Sequence, residues 1–519
     1  MRTRVLFPDR DVVLDALPEP DPDLVLDLEL ERLFAAMAGG DERVAGVVRR
    51  VLPLGVRGGP AFEDPPTVEA IRYRQSAVAD ALAAPATVAA LYRLAADAVD
   101  AERRVWGGAL RNAELVLRRS LEVLGGLLDA LGATRDLLGS ERERLGSAAF
   151  RGLADRLADE IDDAFLAEAR TQLARLADPD LVATSGLGPG NRASGFVLRR
   201  AGDSRARLRD RIRPDGGRGL TVDVTLHDQN AMNALGELRA AAVAPVAGVV
   251  AESAAHLIAF FERLRDETAF LVGCANLDSA LGAAGLARVM PEPLAPTETG
   301  IRAEAIVDPC LALAVRGLVS GNAVDTVGCP LTVVTGANGG GKSTLLRAIG
   351  IATLLLSAGM PVPAAEFASC VPDGVLVHFP RGESGRDDEG RLDAELHRLR
   401  ALVGRVRPGT LVLLNEPLSN VNERDGSAIA GELVRGLIAG GAEVWLVTHH
   451  HELAASLHAT PPAPTRFLRA ARGEGGSRPY LVTPAPPLVT SFGTDLWAGE
   501  VEARLGGAPH SGLGGERPA

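Results

Sequence analysis

Hydrophobic positions in the first half of the chain repeat with the period of an α-helix. In two segments they fall at the alternating steps of three and four residues that form a coiled-coil seam. The first seam contains Leu110, Leu117, Leu121, Leu124, Leu128 and Leu131, and the second contains Val246, Val250, Ser253, Leu257, Phe260 and Leu264. Two matching seams predict either an out-and-back antiparallel pair of long helices or two core helices of a bundle.

After Pro291 the pattern changes to short apolar runs separated by helical stretches. The runs "LTVVT", "GVLVHF", "TLVLLN" and "EVWLVT" are typical of strands buried on both faces of a mostly parallel sheet. The stretch "RFLRAARGEGGSRPYLVTP" predicts a hairpin that turns at "GEGGS". The fold class is therefore multidomain, with an α-helical core and lever domain followed by an α/β domain.

These patterns divide the chain into four parts. We expect a lead-in that ends in an exposed Pro/acid stretch, a helical core and lever with an insert between the two seams, an α/β domain and a disordered tail. The lead-in covers residues 1–24, the helical part 25–300 with its insert at about 183–224, the α/β domain 301–500 and the tail 501–519.

The insert concentrates positive charge in a chain whose net charge is −12. From Arg192 to Arg218 nine arginines stand against three aspartates. This concentration suits contacts to nucleic-acid phosphates at the tip of a helical arm, and a solvated loop that binds nothing explains it equally well. The candidate contacts are Arg199, Arg200, Arg205, Arg207, Arg209, Arg211 and Arg213.

Composition bounds the class of protein. The chain is 46% hydrophobic and 24% charged, which is ordinary for a soluble globular protein. Its first residues lack the apolar core of a signal peptide, and its 4 cysteines lack CxxC spacing and are expected to be free thiols. We therefore expect a cytoplasmic protein with no membrane partner.

One loop carries a phosphate-binding motif. Gly336 to Ser343 fits G-x-x-x-x-G-K-[ST] between the strand "LTVVT" and a helical stretch. Lys342 is the only lysine in a chain that otherwise uses arginine, which indicates a site that needs a compact ammonium group. Ser343 would give its hydroxyl to Mg²⁺. The expected nucleotide contacts are Gly336, Asn338, Gly339, Gly340, Gly341, Lys342, Ser343 and Thr344.

Two later strands supply polar residues at their ends. Asn415 and Glu416 follow "TLVLL"; Glu416 is placed to act as a general base, and Asn415 stands where an aspartate normally supports Mg²⁺. Glu416 could instead be a structural carboxylate. His449 follows "EVWLVT" at the edge of the sheet where α/β proteins place active residues. A metal cluster at His449–His451 is disfavoured, because three consecutive residues point in different directions.

At these residues the chain resembles the MutS family of DNA mismatch-repair ATPases. The matching pieces are "TGANGGGKSTLLRAIG", "LVLLNEPLSNVNERDG", "VWLVTHHHEL" and "TSFGTDLW", with a strong match over about 300–498 and a weaker one over about 25–290. The resemblance implies an ABC-type ATPase domain whose catalytic residues are Lys342, Glu416 and His449. It also implies a homodimer that holds ATP between its subunits, and levers that grip DNA.

The chain departs from the family pattern in three places. The expected signature segment, Asp387–Leu396, lacks the family's Ser/Thr-containing loop, whereas Leu418–Gly426 occupies the place of the loop that crosses between subunits. Asn415 replaces an aspartate. No aromatic wedge motif appears near the start, so we expect a short paralogue without the N-terminal mismatch-recognition domain.

Three functions remain open on the sequence. The first is a DNA-binding ATPase of DNA repair or recombination, with a rate of hydrolysis that Asn415 could lower. The second is a nucleotide-gated dimeric scaffold with little hydrolysis and a protein partner, which Asn415 and the altered signature segment favour. A transporter-type ATPase subunit is disfavoured because a typical LSGGQ motif is missing.

Overall fold

The computed structural model describes most of the chain. The described residues are 1–17, 19–52, 67–105, 113–177, 181–187, 193–200, 229–295, 298–315, 319–381, 388–473 and 478–488. They form two compact units: the first contains residues 1–12 and 83–269, and the second contains residues 13–82 and 270–519. Each unit has its own buried core.

The first unit is built mainly from helices. Its elements are α5 (Pro85–Arg104), α6 (Ala113–Ser140), α7 (Ala148–Glu160), α8 (Asp163–Leu176), β1 (Leu181–Leu187), β2 (Ala193–Arg200) and most of α9 (Gln229–Ala283). Ser147 and Asp162 cap α7 and α8, because each side chain accepts a hydrogen bond from the backbone amide three residues on. The prediction of a predominantly helical first half is confirmed.

The two predicted seams meet in this unit, apart from Leu110, which lies outside the described residues. Leu117 and Leu121 of α6 form one buried cluster with Ala247 and Val250 of α9, and Leu124 and Val246 pack against it. Helix α8 packs antiparallel to α6. Arg135 of α6 pairs with Asp163 of α8, and Asp129 of α6 pairs with Arg170 of α8, each at 2.7 Å, so residue numbers rise along one helix as they fall along the other. The seams therefore belong to a helical bundle that also includes α8.

A hairpin follows α8. Strands β1 and β2 pair antiparallel, with Leu181 opposite Arg200 and Val182 opposite Arg199. Two of the candidate nucleic-acid contacts, Arg199 and Arg200, therefore lie at the end of β2. The other five, Arg205, Arg207, Arg209, Arg211 and Arg213, lie outside the described residues.

Part of the N-terminal segment is packed rather than exposed. Val5 and Leu6 are fully buried in the first unit. The carboxylate of Glu267 on α9 accepts hydrogen bonds from the amides of Val5, at 2.9 Å, and Val12, at 3.2 Å. Residues 1–12 of the expected lead-in are thus fixed to α9 through their backbone.

The second unit contains the α/β part of the chain. Its helices are α1 (Pro22–Asp27), α2 (Leu30–Ala38), α3 (Glu42–Val51), α4 (Val68–Ala83), α10 (Pro309–Val315), α11 (Lys342–Ser357), α12 (Asp388–Val403), α13 (Glu423–Ala439) and α14 (His451–Ala459). Its strands are β3 (Glu292–Leu294), β4 (Ile301–Ile306), β5 (Asn322–Asp325), β6 (Leu331–Thr335), β7 (Glu366–Cys370), β8 (Gly374–His378), β9 (Thr410–Asn415), β10 (Glu443–Val447), β11 (Thr465–Ala470) and β12 (Val482–Pro484).

The larger sheet of this unit carries the candidate site. Its strand order, within the described residues, is β12-β11-β6-β10-β9-β8, and every neighbouring pair is parallel except β11 with β12. Strands β6, β9 and β10 are buried along their whole length. The buried parallel sheet predicted from the sequence is confirmed, and β11 and β12 pair antiparallel as the predicted hairpin requires. Its predicted turn, "GEGGS", lies outside the described residues except for Gly473. A smaller sheet has the order β3-β7-β4-β5.

Among the described residues, one apolar helical segment is long enough to cross a membrane. An 18-residue window within Val243–Ala283 of α9 has a mean hydropathy of 1.6, a property that it shares with core helices of soluble proteins. Asp266 and Glu267, near its middle, are buried within the protein. The four cysteines, Cys274, Cys310, Cys329 and Cys370, are free thiols, as expected.

Candidate nucleotide-binding site

The glycine-rich loop connects the buried strand β6 to helix α11, which begins at Lys342. Gly336, Gly339 and Gly341 have φ values of +117°, +71° and +90°. Side chains disfavour this left-handed region, so glycine allows the sharp path that phosphate-binding loops follow. The loop ends at a helix N-terminus, where unpaired amides and the helix dipole favour an anion. Thr344 lies in the first turn of α11 and is half-buried.

Lys342 is held inside its own loop. Its Nζ donates hydrogen bonds to the carbonyl oxygens of Gly336, at 2.9 Å, and Ala337, at 3.0 Å, and lies 3.5 Å from Asn338 Oδ1. Only 3% of its side chain is exposed. Burial lowers the pKa of Lys342, and the nearby Glu416 opposes this shift. The loop thus holds a partly desolvated ammonium group beside its glycines.

Ser343 and Asn415 meet across the strand ends. The Ser343 hydroxyl donates to Asn415 Oδ1 at 2.8 Å. Asn415 is the last residue of β9 and is 6% exposed. The two residues predicted as metal ligands are therefore in contact, and both present neutral oxygen donors.

Glu416 lies between the lysine and a histidine. Its Oε1 is 3.9 Å from Lys342 Nζ, and its Oε2 is 3.5 Å from His449 Nδ1. The adjacent His449 imidazole and the Lys342 charge hold the pKa of Glu416 below its usual value against the opposing effect of burial. The carboxylate is therefore ionised at neutral pH, which is the state that a general base requires.

The backbone at Glu416 has an unusual conformation. Its φ is +48°, and that of Leu418, two residues on, is +60°. The Glu416 amide donates to the carbonyl of Val447 at 2.8 Å, which ties it to the end of β10. Non-glycine residues adopt this region at an energetic cost, and such residues cluster at functional sites.

The three consecutive histidines have different surroundings. His449 faces Glu416, whereas Nδ1 of the buried His450 lies 3.5 Å from Ser427 Oγ and Nδ1 of His451 lies 3.0 Å from the carbonyl of Leu488. Burial lowers the pKa of His450, so the neutral ring is favoured. Among the described residues, no group of three His, Cys, Asp or Glu could hold a metal ion.

Two residues beside the loop were not predicted from the sequence. The exposed Arg478 places its Nη1 2.4 Å from the position that a Cβ on Gly339 would take. The carbonyl oxygen of Tyr480 lies 3.4 Å from the position that a Cβ on Gly341 would take. Both follow β11, the strand next to β6. A contiguous motif cannot reveal them, because only the sheet order brings them to the loop.

The family-derived segments lie on the same unit. The expected signature segment, Asp387–Leu396, falls on α12, apart from Asp387, which is outside the described residues. Within Leu418–Gly426, Leu418 is fully buried and Asn422 caps α13. The matching piece "TSFGTDLW" and the predicted tail lie outside the described residues.

Comparison with known proteins identifies the family to which the chain is related. A model of the MutS2 N-terminal domain matches residues 66–284, and a model of MutS domain V matches residues 332–472. The second match contains Lys342, Ser343, Asn415, Glu416 and His449. The chain belongs to the MutS family.

Individual relatives agree with this assignment. The chain is 31% identical over 238 residues to the endonuclease MutS2 of Anaeromyxobacter sp., an alignment that covers 44% of this chain and 29% of that protein. It is 35% identical over 123 residues to the mitochondrial DNA mismatch repair protein MSH1 of Arabidopsis thaliana, covering 23% and 11%. The DNA mismatch repair protein MutS 2 of Halobacterium salinarum is 30% identical over 180 residues, covering 34% and 20%. The chain thus matches less than a third of the length of each of these MutS-family relatives.

Proposed function

We propose that this MutS-family protein binds and hydrolyses ATP and uses the nucleotide to control a grip on DNA, in DNA repair or recombination. The observation that carries the proposal is the convergence of five side chains at the carboxyl ends of three adjacent parallel strands. These are Lys342 and Ser343 after β6, Asn415 and Glu416 at β9, and His449 after β10. This edge of a parallel sheet is where α/β proteins bind ligands.

The donor set fits Mg²⁺ and a triphosphate. The Ser343 hydroxyl and the Asn415 amide oxygen are hard oxygen donors of the kind that Mg²⁺ prefers, and they already lie 2.8 Å apart. When bound, Mg²⁺ neutralises charge on the phosphate oxygens. Because neither protein ligand carries a charge, we expect a weaker hold on the metal than a carboxylate would give.

Each of the site residues has a separate role in this reaction. Lys342 exchanges its carbonyl partners for phosphate oxygens, and the loop amides and the N-terminus of α11 hold the same charge. Glu416 accepts a proton from the attacking water. His449 keeps Glu416 ionised and fixes its orientation.

The DNA half of the proposal rests on the family and on charge. MutS-family relatives carry names of DNA repair proteins, and the stretch from Arg192 to Arg218 is strongly basic in an acidic chain. We propose a cytoplasmic homodimer, with no membrane partner, that holds ATP between its ABC-type ATPase domains. Closure of these domains would move the helical levers and close the arginine-rich insert on the DNA backbone.

Phosphate release tests the hydrolytic half. We expect steady turnover of Mg–ATP by the purified protein and a fall of about 100-fold in Glu416→Ala, since general-base catalysis contributes about 10²–10⁴-fold. Affinity for ATP should change little. Equal background rates in both proteins would contradict hydrolysis and support the nucleotide-gated scaffold, which the neutral Asn415 favours.

Retention of DNA tests the other half. We expect duplex, branched and mismatched DNA to bind at low salt and to lose affinity steeply as salt rises, because binding to the phosphate backbone releases counterions. ATP should change the retained fraction. If filter or gel assays retain none of these substrates at low salt, with or without ATP, the proposed DNA-binding function is wrong.

A further inference from the structure

A buried carboxylate outside the nucleotide motif holds the backbone beside Glu416. Glu395 lies on α12 and is 4% exposed. Its Oε1 accepts a hydrogen bond from the amide of Leu418 at 2.8 Å and lies 3.1 Å from Nε2 of His378. Burial alone would raise the pKa of Glu395, but these two contacts lower it below its usual value. The carboxylate is therefore ionised and joins three elements: β8, α12 and the loop after β9.

The held backbone is strained at two positions. Glu416 and Leu418 both have positive φ, and only Pro417 separates them. Such conformations persist where the surroundings over-determine them. One hydrogen bond fixes each side of this turn: the Glu416 amide donates to Val447 O, and the Leu418 amide donates to Glu395. The bond to Glu395 is the only one of the two that depends on a side chain.

His378 and its neighbours keep Glu395 in place. His378, the last residue of β8, is 2% exposed, so its ring has little freedom. One turn along α12 from Glu395, Arg398 donates to the carbonyl of Phe379 at 3.1 Å, which ties the helix a second time to the end of β8. The buried pair His378–Glu395 is therefore held in place by β8 and α12, and it in turn holds the backbone of the turn that contains Glu416.

We propose that Glu395, oriented by His378, is a positioning residue that sets the backbone of the catalytic Glu416. Loss of its carboxylate leaves the buried amide of Leu418 without a partner and lets the strained turn relax. Glu416 then moves from its place between Lys342 and His449. This inference rests on the proposed hydrolytic function. Because α12 carries the signature segment, Glu395 also gives that helix a direct connection to the catalytic turn.

Kinetics of three variants test the role. In Glu395→Ala we expect kcat for ATP hydrolysis to fall about 30-fold while affinity for Mg–ATP stays within about threefold, because only the reacting geometry is disturbed. Glu395→Gln keeps an acceptor oxygen and should stay within about threefold of the unmodified protein in kcat. Glu443→Gln is the matched control, since Glu443 is also buried and accepts a backbone hydrogen bond, from Gly300, away from the site.

Hydrogen exchange separates failure of this inference from failure of the proposed function. The amide of Leu418 should exchange at least about tenfold faster in Glu395→Ala and unchanged in Glu443→Gln, whether or not the protein hydrolyses ATP. An unchanged rate of exchange in Glu395→Ala, or an unchanged kcat in an active protein, overturns the inference. Absence of turnover in the unmodified protein refutes the hydrolytic function, and exchange still decides whether Glu395 holds the turn.

Discussion

Two glutamates, one in each unit, show how the surroundings of a carboxyl group determine what it does; Glu416 is half-buried and Glu267 is fully buried. Glu416 has a lysine and a histidine beside it, and its pKa lies below the usual value. Glu267 accepts hydrogen bonds from the amides of Val5 and Val12, and burial raises its pKa to about 7. The adjacent histidine and lysine therefore keep Glu416 ionised, whereas Glu267 uses backbone amides to hold a chain segment in place.

Because of this difference, removal of a side chain should affect ligand binding or turnover in one region and stability in the other. In the proposed nucleotide site, Lys342 and Glu416 would face the ligand, so their loss should change binding or turnover more than folding. In the first unit, Glu267 fixes the first residues of the chain to α9, so its loss should change stability and leave the affinity for ATP unaltered.

Replacement of the single lysine should have the largest effect. We expect Lys342→Met to weaken binding of Mg–ATP by about 4 kcal/mol, roughly 1,000-fold, because a desolvated charge pair with phosphate is lost. The free energy of unfolding should stay equal or rise, because an ammonium group that is costly to bury is removed. Isothermal titration calorimetry and thermal unfolding followed by circular dichroism measure the two quantities.

Lys342→Arg sharpens the same prediction. A planar guanidinium cannot occupy the space between the loop carbonyls as a compact ammonium does, so we expect affinity close to that of the methionine variant. Affinity within a few-fold of the unmodified protein in Lys342→Met would show that this loop does not bind phosphate, and the contrast between the two regions would fail.

The parts of the site that the sequence predicted are those set by contiguous residues. The loop from Gly336 to Ser343 and the strand ends at Asn415 and Glu416 were predictable, because a motif and an apolar run mark each of them. Contacts between distant segments were not: Glu395 reaches Leu418, and Arg478 reaches Gly339, only because the sheet order and α12 bring them together. Their own sequence surroundings show charged residues that could equally face solvent.

The fold shows the same division. Periodicity predicted the helices and the parallel sheet, since each period extends over many residues. Burial of Val5 and Leu6 was not predicted, because a short segment without regular structure has no period, and the Pro/acid stretch that follows it suggested exposure. Glu267 gave no signal either, since it lies in "ERLRDE", a charged stretch of α9 that is typical of a solvated face.

The last and smaller effect is a change in how stability depends on pH. The pKa of Glu267 is raised from 4.5 to about 7 on folding. Below pH 4.5 both states are protonated, and between these values the unfolded chain has released a proton that the folded protein retains. The contribution of Glu267 to the free energy of unfolding therefore falls by about 3 kcal/mol as the pH rises through this window, at about 1.4 kcal/mol per unit.

Urea unfolding at pH 5, 6, 7 and 8 measures this slope. Glu267→Gln has no proton to lose, so the stability advantage of the unmodified protein should be largest at pH 5 and shrink toward pH 8. Glu262→Gln, on the same helix and only half-buried, should run parallel to the unmodified protein, and ATP affinity should be equal in all three. Parallel curves for Glu267→Gln would mean that the carboxyl group is already ionised in the folded protein. The two glutamates would then differ in their partners but not in their charge.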